Sequence, residues 1–155
     1  MMNSVVRTSA AVAVIAILAM SLSACALFAG TPRDASGQVT VSTEIRSTDL
    51  LIDDCFSYLG DGTNLSQVTV IPCADAHTHR VIGQGTLSVT QLADAGGIQN
   101  AISEACNQSF ADFAASLAEG LTTEQQFLVS AITVDGVESQ FYSCVALDPE
   151  TPSAG

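Results

Sequence analysis

Four cysteines, Cys55, Cys73, Cys106 and Cys144, lie along the latter part of a 155-residue chain, and their redox state constrains the fold most. Behind Arg7, residues 10–22 (AAVAVIAILAMSL) form an uncharged apolar run, and Ala24 places a small residue after it. That is the layout of an export signal. A small domain that leaves the cytoplasm meets oxidising conditions, so an even number of cysteines reads as two disulfides. Three pairings are open, and the spacings do not choose among them. A four-cysteine zinc site or a redox-active thiol pair would call for a C-x-x-C spacing, which the chain lacks.

The fifth cysteine ends the tetrapeptide Leu22-Ser23-Ala24-Cys25. This stretch resembles the lipobox of bacterial lipoproteins, in which the cysteine takes a diacylglyceryl group and becomes the N-terminus after cleavage. The resemblance implies that residues 1–24 are a lipoprotein signal peptide and that Cys25 is the lipidation site. The protein would then be held to the cell membrane on its extracytoplasmic face. The competing readings are plain secretion or an uncleaved anchor, since residues 9–28 hold about 20 uncharged residues, just enough to span a bilayer core. Alanine and serine rather than leucine and phenylalanine fill the run, which favours cleavage. Two acyl chains make a durable anchor where one is marginal, each buried CH₂ contributing about 0.8 kcal/mol.

All sixteen acidic residues follow Cys25, against Arg33, Arg46 and Arg80 and no lysine, which leaves about −13 on the mature side chains. Such a charge repels phosphate backbones and excludes nucleic acid as a partner. The acids form no Asp-x-Asp-x-Asp-Gly loop for a divalent cation. After Cys25 there is chain enough for one core and too little for two.

Residues 25–48 read as a flexible tether, broken by Gly30, Pro32, Ser36 and Gly37, with Val39-Thr40-Val41 able to pair as a short edge strand. As a coil it would reach roughly 25–30 Å. Residues 149–155 read as a frayed tail. Between them, residues 51–56 begin a strand, Gly60-Asp61-Gly62 makes a turn, and the β-branched run 68–71 before Pro72 is a buried strand. Residues 80–83 and 86–89 continue extended, with Gly83 and Gly85 marking a bulge or bend. After Gly96-Gly97, the positions Ile98, Ile102, Cys106, Phe110, Phe113 and Leu117 fall on one helical stripe, and Gly120 is placed to end that helix in a left-handed conformation. Asp135-Gly136 separates two strand-like runs, 127–134 and 137–147, and calls for a type I′ hairpin with Phe127 opposite Cys144. The expected fold is α+β, a small antiparallel sheet with one long helix packed on a face and two disulfides.

These marks come in a recognisable order: Asp54-Cys55-Phe56, Val70-x-x-Cys73, His77-x-x-Arg80-Val81-x-Gly83, Cys106-x-x-x-Phe110 and Cys144-x-x-Leu147. Together they resemble the septum-formation domain of actinobacterial envelope proteins, over a stretch taken as residues 49–148. Asp53 stands where that pattern has glycine, Ala76 where it has proline, and Arg80 where it has an acid. The tryptophan before its last cysteine is missing. The resemblance implies pairing in sequence order, Cys55–Cys73 and Cys106–Cys144, and a role in the cell envelope linked to septum formation or cell-wall processes.

Candidate chemistry is sparse. His77 and His79 flank Thr78, and on a strand they would point the same way and could meet a zinc or copper ion. The plainer expectation is a structural His77 in a loop beside a disulfide, with His79 exposed. Cys73 and His77 would make a nucleophile–base pair only with a free thiol. Asp53 and Asp54, as neighbours, are expected to split into one exposed residue and one that caps a turn. No phosphate loop, nucleophile elbow or HExxH is present. The sequence therefore points to no enzyme and no cofactor, but to a lipid-anchored module that binds a protein or a cell-wall component. The alternative is a metal-binding envelope protein using His77 and His79.

Overall fold

The computed structural model describes residues 30–60, 62 and 65–149, so Cys25, the expected signal peptide and all but the first residue of the expected tail 149–155 lie outside the described residues. The elements run β1 (Thr43–Arg46), a 3-10 turn (Ser47–Asp49), β2 (Cys55–Tyr58), β3 (Gln67–Ile71), β4 (His79–Ser88), α1 (Val89–Asp94), α2 (Ile98–Ser116), β5 (Gln125–Val134) and β6 (Val137–Leu147). The six strands form one antiparallel sheet in the order β1-β3-β2-β4-β6-β5. The architecture is the expected α+β, with α2 packed against β4 and β6. No helix among the described residues is long and apolar enough to cross a membrane.

The hairpin forms as its dipeptide demands. Asp135 and Gly136 both take positive φ, 51° and 80°, the combination a type I′ turn needs. Phe127 therefore sits opposite Cys144. β4 is one continuous ten-residue strand rather than two runs, because its pairing with β6 survives a single register shift between Val81 and Gly83. α1 begins at a capping box in which the Ser88 hydroxyl accepts from the Gln91 N–H and the Gln91 side chain accepts from the Ser88 N–H.

Strand alternation divides the apolar side chains between two clusters. Phe56, Val68, Val70, Val81, Leu128 and Val145 pack with Leu50 and Val39 on one face. Cys144 and Leu87 turn the other way and meet Ala101, Ile102 and Cys106 of α2. The Cys106–Cys144 disulfide lies inside this second cluster, with both residues buried. The Cys55–Cys73 disulfide ties β2 to the segment after β3. Both bridges join the partners implied by the resemblance. Gly83 marks the closest approach of helix and sheet: a Cβ there would stand 2.8 Å from Ser109 Oγ and 3.3 Å from Cys144 Sγ.

Three local expectations are corrected. The stretch 25–48 is not a flexible tether over its described part. Arg33 bridges to Val39, Val39 is buried in the core, and Thr43–Arg46 is the edge strand in place of 39–41. The reason is alternation: Thr43 and Ile45 turn inward between exposed Glu44 and Arg46, and Ile45 packs on the first cluster. Residues 51–54 form a turn rather than the start of a strand, since the Asp54 N–H donates to the Leu51 carbonyl. Finally, α2 ends at an extended Leu117, where Ser116 Oγ donates to the Phe113 carbonyl, and Gly120 takes its positive φ of 88° in the loop beyond.

Candidate functional site

The polar side chains gather where β4 starts, β6 ends and the Cys55–Cys73 bridge closes. Between Cys73 and β4 the chain makes a turn in which the Asp75 N–H donates to the Pro72 carbonyl. His77 sits after this turn, fully buried at its side chain. Its Nδ1 is 2.8 Å from the Asp75 carbonyl oxygen. Its Nε2 faces Asp148 Oδ2 at 3.2 Å, and Arg80 Nε donates to the same oxygen at 3.0 Å. Asp148 is held in place because its backbone N–H donates to the Thr78 carbonyl. The Asp148 carboxylate tolerates burial because Arg80 Nε donates to it and His77 Nε2 lies within hydrogen-bond distance.

Arg80 is about one-third exposed, and its guanidinium carbon lies 5.9 Å from the centre of the Phe113 ring. It lines an open groove of about 340 Å³ with Asp53, Ile82, Ser109, Asp112, Phe113 and Ser116. One cation on an aromatic ring, two carboxylates and two hydroxyls suit recognition of a polar group by hydrogen bonds and charge.

Asp53 and Asp54 divide as expected. Asp53 is exposed with φ of 71°. Asp54 is 3% exposed and accepts the Leu51 N–H, and its two oxygens take Arg33 Nη1 and Nη2 at 2.5 and 2.7 Å. Such a bidentate pair clamps the N-terminal segment to the sheet. Contact with Asp54, chiefly through the hydrogen bonds, raises the Arg33 pKa further above its ordinary value, so the clamp stays charged.

His79 departs from the expectation of an exposed ring. It is 7% exposed, stacks on Phe56 at 5.5 Å, meets the Tyr58 edge at 4.7 Å, and its Nδ1 is 2.6 Å from Thr78 Oγ1. Burial lowers its pKa below 6.5; the Gln126 carboxamide offsets part of this, and the nearby His77 adds to it. His77 lies before β4, so strand alternation does not reach it and the two rings have different surroundings.

Ligand atoms of Cys55, His77 and Asp148 lie within 4.8 Å of one another. The donor set fits a metal poorly. The Cys55 sulfur is bonded to Cys73 and is no thiolate, while His77 and Asp148 are engaged with each other. His79 is outside the group.

The residues that sequence reasoning passed over are Arg33, Arg80 and Asp148. The arginines carried a signal, because a chain with three of them after residue 25 has few cations to place. Asp148 carried none, being one acid among sixteen. No protein-family model matches the chain, and neither the curated proteins nor the solved structures contain a match.

Proposed function

We propose that this chain is a cell-envelope lipoprotein, acylated at Cys25, whose folded unit is an extracytoplasmic binding module of the septum-formation type. The observation that supports the reading is the cysteine arrangement. The folded unit uses its four cysteines in two bridges, paired in sequence order, and Cys25 is the one left over. Bridges of this kind persist where the cytoplasmic reductants do not reach. Binding of a protein or a cell-wall component is favoured over metal binding because, among the described residues, the cluster of metal-ligand residues is closed by a disulfide and by the contact of His77 with Asp148.

Labelling cells with a fatty-acid analogue tests the anchor. The wild-type chain is expected to take label, and Cys25→Ala to lose it and persist as an uncleaved precursor. Label retained on Cys25→Ala refutes the lipobox reading.

A further inference from the structure

β5 ends the sheet on one side and carries none of the devices that keep a sheet edge from pairing. Its ten residues include no charge and no proline, and it pairs with β6 from Gln125 to Val134 without a register shift. The opposite edge, β1, is four residues long and carries Glu44 and Arg46. Because the hairpin turn has two residues, Val134 and Val137 form its closing hydrogen-bonded pair. Alternation then points the N–H and C=O groups of Val129, Ala131 and Thr133 away from β6. Those groups meet no backbone partner among the described residues. Nearer the start of β5, Leu128–Ser130 line a gap of about 170 Å³ with Ser47, Leu65 and Ser66, which leaves 131–134 as the fully open stretch. Val129 beside that gap and Val134 at the far end of the open stretch are 39% and 44% exposed.

Building on the binding-module reading, we propose that this edge receives an extended strand from a partner protein, uncharged in its middle and carrying lysine or arginine at its ends. Strand addition supplies backbone hydrogen bonds for affinity, and the end charges supply selectivity. Glu124 precedes β5, and Asp135 and Glu138 stand at its other end. Arg33, Arg46 and Arg80 are each held by an aspartate. A second copy of this chain is the wrong occupant: full antiparallel pairing of two β5 strands sets Glu124 against Asp135 at both ends, between two strongly acidic bodies. Cationic ends turn the same contacts attractive.

The test uses the full-length chain in detergent and a fluorescent peptide, Lys-Thr-Val-Thr-Val-Thr-Lys. Binding is expected to slow amide exchange at Val129, Ala131 and Thr133. The same peptide with glutamate ends should bind about tenfold more weakly, a difference of about 1.4 kcal/mol from reversing the end charges. Ala131→Pro removes an outward N–H and leaves the β5–β6 ladder bonds intact, so it should abolish binding with the thermal transition kept. Ala131→Lys, which needs no backbone change, should weaken it as well. The proposal is overturned by unprotected β5 amides, by equal affinity of the two peptides, by unchanged binding in both variants, or by a concentration-dependent dimer that protects β5 without peptide. Photo-cross-linkers at Ala131 and at Asp112 in cells separate the two levels. Adducts at Asp112 alone overturn the edge while keeping the binding module, and adducts at neither position count against both.

Discussion

Gly83→Ala probes how tightly α2 is clamped to the sheet. The new methyl would stand 2.8 Å from Ser109 Oγ, 3.3 Å from Ser109 Cβ and 3.3 Å from Cys144 Sγ. The hydroxyl can rotate away, but the Cβ and the sulfur cannot. The Cys106–Cys144 bridge, with its Cα atoms 5.5 Å apart, fixes the helix one turn from Ser109, so α2 has little freedom to retreat. Overpacking of this kind costs about 1–3 kcal/mol. Urea unfolding followed by far-ultraviolet circular dichroism suits a chain with two tyrosines and no tryptophan, and the midpoint should fall with the slope unchanged. Ser109→Gly alone costs about 0.5 kcal/mol as a glycine in place of a serine within a helix. In its presence the Gly83→Ala cost should shrink by about 1 kcal/mol, because two of the three close atoms are gone. Equal costs of Gly83→Ala in the two backgrounds would refute the clamp.

Replacing Cys106 and Cys144 together by alanine should cost about 4 kcal/mol and the Cys55–Cys73 pair about 3 kcal/mol, from closing loops of 38 and 18 residues; thermal unfolding of the two double variants checks the order. His79 has a folded-state pKa below 6.5, so the unfolded chain binds more protons there. Stability should be complete above about pH 6.5 and fall as the pH drops toward the folded value, and His79→Phe should flatten that slope in unfolding measured between pH 7 and 5. Gly136→Ala places a side chain at φ of 80° in the hairpin turn and should cost about 1 kcal/mol or more, read from the urea midpoint. Protein purified and then dialysed against zinc or copper should retain no stoichiometric ion, and His77→Ala should not change that; one tightly held ion per chain lost in His77→Ala would restore the metal reading.

Local chemistry was enough for the elements whose cause is local. The Asp135-Gly136 turn sets the hairpin register because only positive φ at both positions matches the strand twist. The stripe through Ile102 and Cys106 marks the buried face of α2 because apolar residues recur at the helical period. The polar site was not legible in this way. Arg33 meets Asp54 across 21 residues, Arg80 meets Asp148 across 68, and His77 meets Asp148 across 71. Nothing in the spacing of those residues distinguishes them from the other acids and bases, since each pair exists only once the sheet has brought distant strands together. His79 makes the same point on one side chain. Its exposure depended on whether Phe56 and Tyr58 of another strand would cover it, and that was decided by the β2–β4 pairing of Phe56 with His79.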